Sequence, residues 1–442
     1  MGFASIILAA GKGSRMKSDL PKVMHNVGNA PMIDHVLKSA IEAGAERNIV
    51  VVGFGGEMVA NHVADRAETV EQPALNGTGG AALCARTALA SFKGDAIVLY
   101  GDGPFVRPET IKAVLDKRAD SFDLVAVGFE PENPSGYGRM LMDGEILEGI
   151  IEHKDCAPAQ LEIGLCNLGV ISAKADVLFE LLSKVENNNA NGEYYLTDVI
   201  ALARAAGKSC GVVVCEAEEA TSVNSRAQLA EAEAVFQARA RAQAIENGVS
   251  LVAPETVFFS LDTALGSDVM VEPNVVFGPA VSVENGAKIR AFSHLEGCHV
   301  SEEAVVGPYA RLRPGAEIGA RGKVGNFVEI KNAVIGNGAK VNHLSYVGDA
   351  NIGADSNIGA GVIFCNYDGV FKHHSTLGER VFVGSNSALV SPVVIGDDAL
   401  IGTGSVVTSD VPAGDLVLAR SVQVNKKGRG KRLMDMLKAK KK

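Results

Sequence analysis

The second half of the chain repeats every six residues, a period that few backbones can satisfy. Apolar residues recur at Val300, Val306, Leu312, Ile318, Val324 and Ile330, then at Ile335, Val341 and Val347, then at Ile352, Ile358 and Phe364. The clearest run is Leu377, Val383, Leu389, Ile395, Ile401 and Val407. Glycine often follows directly, as at Gly307, Gly325, Gly384 and Gly402. A helix repeats about every 3.6 residues and a half-buried strand about every 2, so neither produces this spacing. A β-helix does: each hexapeptide forms one flat face, three close a turn, and the apolar residue points inward. The period skips between Ile330 and Ile335 and between Val347 and Ile352, and residues 365–376 interrupt it. An insertion in a solenoid becomes a protruding loop, often on the binding face. His373 and His374 lie on that loop and read as surface residues, with metal binding the alternative.

Residues 1 to about 225 follow another grammar. Apolar runs at 4–8, 48–53, 95–100, 123–129 and 210–214 alternate with helical stretches such as 32–44 and 108–120. Continuous apolar strands separated by helices predict a parallel sheet covered on both faces. Ligands on such sheets sit at the C-terminal ends of strands. Three of those ends carry polar candidates: the loop at Gly11, the segment from Gly53, and Gly101-Asp102. Between the halves, residues 226–248 are rich in Ala, Glu, Gln and Arg and predict a long connecting helix. The expected division is 1–225, a linker helix 226–248, and 249–442.

The first apolar run ends in Leu8-Ala9-Ala10-Gly11-Lys12-Gly13-Ser14-Arg15-Met16, with Pro21-Lys22 beyond. Glycines let backbone N–H groups approach an anion, while Lys12, Arg15 and Lys22 add positive charge. The third glycine of the dinucleotide fingerprint and the Gly-Lys-Ser/Thr of the Walker loop are both absent. The pattern fits a nucleotide site of another kind, or an ordinary strand-to-helix turn.

The net charge of −10 argues against a nucleic-acid partner. Seven dispersed cysteines without a C-x-x-C pair suit reduced thiols. The opening apolar run is too short for a leader or a membrane span, and Ile6 breaks the myristoylation pattern after Gly2. A soluble cytoplasmic protein is expected. The basic tail from Lys426 to Lys442 reads as a solvated, partly disordered terminus, with contact to ligand phosphates the alternative.

Further motifs appear in order: Asn76-Gly77-Thr78-Gly79, Tyr100-Gly101-Asp102, Gly136-Tyr137-Gly138-Arg139, Glu152-His153-Lys154-Asp155, Asn167-Leu168-Gly169 and Gly192–Asp198. The second half adds Ala310–Gly315, Gly325–Lys331, His343–Tyr346, Asn357–Gly361 and Cys365–Gly369. Over nearly its whole length the chain resembles the bifunctional N-acetylglucosamine-1-phosphate uridyltransferase / glucosamine-1-phosphate acetyltransferase family. The resemblance implies a Rossmann-like α/β nucleotidyltransferase domain followed by a left-handed parallel β-helix, and a homotrimer. It also implies two reactions that lead to UDP-N-acetylglucosamine, a precursor of peptidoglycan and lipopolysaccharide.

For uridylyl transfer from UTP, the resemblance assigns Leu8, Ala9, Ala10, Gly11, Lys22, Gln72, Gly77, Thr78, Tyr100, Gly101 and Asp102 to the nucleotide. Gly138, Glu152 and Asn167 fall to the sugar. The same resemblance implies that Asp102 and Asn224 would hold Mg²⁺ and that Arg15 and Lys22 would stabilise triphosphate charge. Gly103 after Asp102 departs from the family and adds flexibility there; Ser14 replaces the usual Thr. For acetyl transfer from acetyl-CoA, His343 is the implied base, with Arg313, Lys331, Tyr346 and Asn357 on the sugar phosphate. Ala360, Asn366, Tyr367, Ser385, Thr403 and Arg420 fall on acetyl-CoA positions; Thr403 replaces a small apolar residue. Two other readings stay open: a single-function nucleotidyltransferase whose β-helix regulates or oligomerises, and a scaffold that binds nucleotide-sugars without catalysis.

Overall fold

The computed structural model describes residues 2–441. Contacts divide the chain into two compact units, Met1–Arg239 and Ala240–Lys442. The boundary falls inside the long helix Arg226–Glu246.

In the first unit, nine strands form one sheet: β1 (Phe3–Ala9), β2 (Arg47–Val52), β3 (Glu68–Glu71), β4 (Asp95–Tyr100), β5 (Leu124–Phe129), β6 (Arg139–Asp143), β7 (Ile146–Ile151), β8 (Cys166–Lys174) and β9 (Cys210–Val214). The central order is β9-β5-β8-β4-β1-β2-β3, and the β6–β7 hairpin joins through β8. Strand β1 pairs in parallel with both β2 and β4, so Leu8 has Val51 on one side and Tyr100 on the other. That arrangement brings the glycine loop and the Gly101-Asp102 turn to one edge. Alternate residues of β1 feed two cores. Ala4, Ile6 and Leu8 pack toward the helices Thr78–Cys84, Ala175–Leu182 and Asp198–Ala205. Phe3, Ile7 and Ala9 pack toward Met32–Glu42 and Pro108–Asp120. Helices therefore cover both faces, as expected.

The sheet is not purely parallel. Strand β8 runs antiparallel between β4 and β5. Its sequence, Cys166-Asn-Leu-Gly-Val-Ile-Ser-Ala-Lys174, carries Asn167 and Gly169 in its first half. A register shift between Asn167 and Ile171 breaks the apolar run that would have advertised it.

The second unit is a β-helix of parallel ladders. Every residue of the six-residue series from Val300 to Val407 is at most 2% exposed. The series also begins earlier than its glycines suggest, with Val271, Phe277, Val283, Ile289 and Leu295 buried in the same way. The stacking is in register: Leu312 lies on Ile330, and Ile330 on Val347. Corners are marked by left-handed residues at the same period, among them Asp268, Asn274, Ala280, Phe292, Tyr309 and Phe327. Most carry a side chain at positive φ, a conformation that costs about 1–2 kcal/mol each, so the stacked interior outweighs a recurring local strain. Steps of five occur where the sequence skips, at Phe327 to Asn332 and Leu344 to Asp349, and also at Phe292 to Gly297.

The insertion is a small hairpin bridged between Tyr367 and Lys372. Asp368 accepts backbone N–H bonds from Val370 (2.8 Å) and Phe371 (2.7 Å), and its Oδ2 lies 2.7 Å from His373 Nε2. The His373 contact, with those N–H bonds, pushes the Asp368 carboxyl down to about 2. Near the C-terminus, Arg429–Ala439 forms a fully exposed helix rather than an irregular tail. Its Leu, Met, Lys and Arg are good helix formers. No helix among the described residues is long and apolar enough to cross a membrane.

Truncating one rung, Ile330→Ala, removes a side chain with no exposed surface between two stacked neighbours. A loss of about 2–5 kcal/mol is expected, read as a lower urea midpoint of the transition that reports the β-helix. A midpoint unchanged from the parent chain would show that the ladder does not hold the coils together.

Candidate functional sites

Two adjoining cavities open at the strand ends of the first unit. One, about 250 Å³, is lined by Leu8, Ala9, Ala10, Gly11, Lys22, Gln72, Gly77 and Thr78. The other, about 340 Å³, is lined by Gly138, Glu152, Asn167 and Asn224, among others. Tyr100 and Asp102 line both. The residues expected for a nucleotide and for a sugar thus separate into two chambers that meet at Asp102.

Lys22 sits at that junction. Its ammonium donates to Asp102 Oδ2 and, at 2.9 Å, to Asn224 Oδ1. Asn224 is held there because Val223 N–H donates to the Asp102 carbonyl (3.0 Å) and Asn224 N–H to Gln228 (2.9 Å). One carboxylate oxygen and one amide oxygen therefore converge on a single cation. This donor pair fits a hard divalent ion that completes its shell with water and phosphate oxygens. Among the described residues no group of three or more His, Cys, Asp or Glu side chains could hold a metal by itself.

The loop geometry explains how Lys22 is aimed. Gly13 has φ +62°, and a Cβ there would lie 2.8 Å from Lys22 Cβ. Gly77, at φ +113°, would put a Cβ 2.5 Å from the Tyr194 carbonyl oxygen. Both positions require glycine. Gly103 does not: a Cβ there meets only the Tyr100 carbonyl oxygen at 3.6 Å. Arg15 stands exposed on the turn Ser14–Met16, outside both linings. Lys12 lies 5.6 Å from the Phe54 ring centre rather than in the cavity.

The sugar chamber holds Glu152, whose carboxyl is pushed upward by burial and partly drawn back by the Thr197 hydroxyl at 3.2 Å. Burial also raises the Tyr100 phenol, against a hydrogen bond with Thr78. Asn167 Oδ1 accepts the Gly169 N–H at 3.0 Å, which leaves its amide NH₂ for a ligand.

In the second unit the candidates lie on the coils. His343 stands directly beside Asn326 across parallel strands. Its Nδ1 is 2.7 Å from Asn326 Oδ1. An amide oxygen only accepts, so Nδ1 carries the proton and Nε2 keeps its lone pair outward in the neutral ring. Asn326 lies within the quoted Gly325–Lys331 motif, yet its type alone gave no sign of this role.

A basic cluster forms nearby in sequence. Arg313 pairs with Glu329 at 2.7 Å, and Glu329 neighbours Tyr346 across the ladder. Lys331 faces Lys372 of the inserted hairpin; that contact, with some burial and the charge of Arg313, lowers the Lys331 ammonium pKa. Burial works to raise Asp349, but hydrogen bonds from Asn332 (2.6 Å) and Asn366 (2.5 Å) and the two lysines hold it below the usual range. Lys372 carries no sequence signal, because the insertion that holds it breaks the six-residue repeat. Asn366 joins this cluster beside Tyr346 and Gly348. Tyr367, Ser385, Thr403 and Arg420 are exposed. Arg420 donates to the Thr403 carbonyl at 2.5 Å. Asn357 pairs with Lys340 and Phe382, and Ala360 accepts the Asn386 N–H at 2.7 Å.

Comparison with known proteins follows the same division. A MobA-like NTP transferase domain matches residues 5–161. The GMPPB C-terminal domain matches 294–390, and the six-repeat bacterial transferase hexapeptide matches 374–409. "Bifunctional protein GlmU" of Ruegeria sp. (strain TM1040) is 56% identical, covering 100% of this chain and 99% of its own. Its counterpart in Roseobacter denitrificans is 53% identical over 100% and 98%, and that in Jannaschia sp. (strain CCS1) 52% over 99% and 96%. A solved UDP-glucose pyrophosphorylase complexed with UDP-glucose aligns with 54% of this chain and 100% of its own, at TM-score 0.44 and 19% identity.

Two outcomes check this geometry. A carboxyl raised by burial costs stability once pH climbs through its raised value, and costs nothing below the ordinary carboxylate range of about 4. Glu152→Gln is therefore expected to melt higher than the parent at neutral pH, with the gap closing in acid; a gap of the same size at both would refute it. For His343, Asn326→Ala should shift the neutral ring toward the Nε2–H tautomer, seen in imidazole ¹⁵N shifts.

Proposed function

The chain belongs to the bifunctional GlmU family, and we propose that the residues described above serve its two activities in succession. It is both a glucosamine-1-phosphate acetyltransferase and an N-acetylglucosamine-1-phosphate uridyltransferase of cell wall biogenesis. The observation that carries the assignment of sites is their pairing. One chain holds a two-chamber cleft converging on Asp102 and, separately, a coil region that carries the Asn326-oriented His343 imidazole and the opposed Lys331 and Lys372 ammoniums.

On the β-helix, the phosphate of glucosamine 1-phosphate sits among Arg313, Lys331 and Lys372, with Tyr346 and Asn357 on the same ligand. A dianion relieves the mutual repulsion of the two lysines. His343 Nε2 takes the proton that the amine sheds as it attacks the thioester carbonyl of acetyl-CoA, and Asn326 holds the ring in the tautomer that can do so. The thiolate of coenzyme A leaves. Asn366 and Ser385 stabilise the oxyanion, and Ala360, Tyr367, Thr403 and Arg420 hold the coenzyme. Ser385, Thr403 and Arg420 stand exposed on the coils, which supports a homotrimer whose neighbouring coils complete the site.

In the cleft, the backbone of Leu8–Gly11 with Gln72, Gly77, Thr78 and Gly101 holds UTP, and Glu152, Asn167 and Gly138 hold the acetylated sugar phosphate. The α-phosphorus lies where the chambers meet. The attacking phosphate oxygen and the departing pyrophosphate are then aligned by binding alone, as such chemistry requires. Asp102 and Asn224 would hold Mg²⁺, which would supply neutralisation of phosphate charge. Lys22 then turns its ammonium to the triphosphate, and Arg15 reaches it from the exposed turn. The substrates are small and soluble, consistent with a cytoplasmic enzyme.

The two activities are separable by mutation. His343→Ala should lower coenzyme A release by about 10²–10⁴-fold while pyrophosphate release from UTP persists; Asp102→Ala should do the reverse. Loss of both activities in either folded single variant would contradict two independent sites.

A further inference from the structure

A third cavity of the first unit, about 480 Å³, adjoins the nucleotide chamber without belonging to it. The two share Gln72. Otherwise the lining is its own, chiefly Pro73, Leu83, Cys84, Leu182, Val185 and Tyr194. No charged side chain lines it. The substrate chambers differ sharply: one has Lys22, Asp102 and Glu193, the other Asp102, Glu152 and Glu219. A cavity of this size is ample for a small molecule, and its uncharged walls disfavour a phosphate, a nucleotide or a free carboxylate.

Its walls are also the walls of the nucleotide site. Gln72 is 6% exposed, and its Nε2 donates to Asn76 Oδ1 (3.0 Å) and the Gly77 carbonyl (3.2 Å). Gly77 and Thr78, at the start of the helix Thr78–Cys84, line the nucleotide chamber, while Leu83 and Cys84, at its end, line the third cavity. Tyr194 clamps the same segment: its N–H donates to the Asn76 carbonyl (2.8 Å) and its carbonyl accepts the Gly79 N–H (2.8 Å). A molecule that displaces Gln72, Asn76 or Tyr194 acts on the partners of Gly77, whose backbone lies so close to Tyr194 that a Cβ there would be 2.5 Å from the Tyr194 carbonyl oxygen.

We propose that this cavity is a regulatory subsite for a small, uncharged, largely apolar ligand, whose binding controls the adjoining nucleotide chamber. The inference rests on that chamber being the uridylyl-transfer site. Occupancy displaces the Gln72–Asn76–Tyr194 wall and weakens uridylyl transfer; the β-helix activity is untouched.

Cys84 offers a handle for the test. Its thiol donates to the Gly80 carbonyl at 3.3 Å, and burial raises its pKa, so it is a reporter rather than a nucleophile in its own right. The full-length enzyme is treated with benzyl methanethiosulfonate. The Cys84 sulfur bonds to the benzylthio sulfur, the sulfur–sulfonyl bond breaks, methanesulfinate departs and the thiol proton goes to solvent. The expected result is a fall of about tenfold or more in pyrophosphate release with coenzyme A release changed less than about twofold. Dithiothreitol restores the activity, and the Cys84→Ser variant, active before treatment, does not respond. Cys84 labelled by mass spectrometry with uridylyl transfer unchanged overturns the proposal. So does failure of the benzyl group to enter and label, or equal inhibition of Cys84→Ser. An untreated enzyme lacking pyrophosphate release would instead overturn the assignment of the nucleotide chamber, which separates the two failures.

Discussion

Parallel strand pairing in register is the constraint on which everything else rests. In the β-helix it carries residue i onto a partner 17 or 18 positions away in most coils, and 25 away across the inserted hairpin. Asn326 therefore stands beside His343, and Glu329 beside Tyr346. In the first unit the same geometry sets β1 between β2 and β4, and so delivers the glycine loop and Asp102 to one edge. A slip of one residue would turn the buried aliphatics outward and separate each functional pair.

Charge is arranged differently at the two candidate sites. Lys331 and Lys372 face each other, and Asp349, whose charge offsets Lys331, is already committed to two amides. At the cleft, the Lys22 ammonium satisfies Asp102 and Asn224, so a carboxylate and an amide oxygen share one cationic partner. Coils and strand ends hold these groups in place, the kind of prior positioning that the proposed phosphate chemistry needs.

How much was legible depended on whether a residue announced itself through a repeat. The ladder from Val300 to Val407 was visible because burial demands an aliphatic at every sixth position. The glycine loop was visible because positive φ at Gly13 admits little else. Strand β8 was hidden as an antiparallel element, since Asn167 and Gly169 interrupt its apolar run where it bulges. The early rungs Val271 to Leu295 were passed over because few glycines flag them. Lys372 sits in the one segment that abandons the period, and its partner Lys331 is 41 residues distant in sequence.

The sequence alone determined the two architectures and the family, because periodicity and ordered motifs are local properties that survive without coordinates. It also named most residues that line the cleft. Only the tertiary structure decided which of them meet. It split the cleft into two chambers hinged on Asp102, put the Lys22 ammonium between Asp102 and Asn224, and oriented His343 through Asn326. It left Arg15 outside both chambers, and it opened an uncharged cavity behind Gln72 that no motif marks. The reason is physical: these are relations between chain segments far apart in sequence, fixed by register and packing rather than by any residue's own preference.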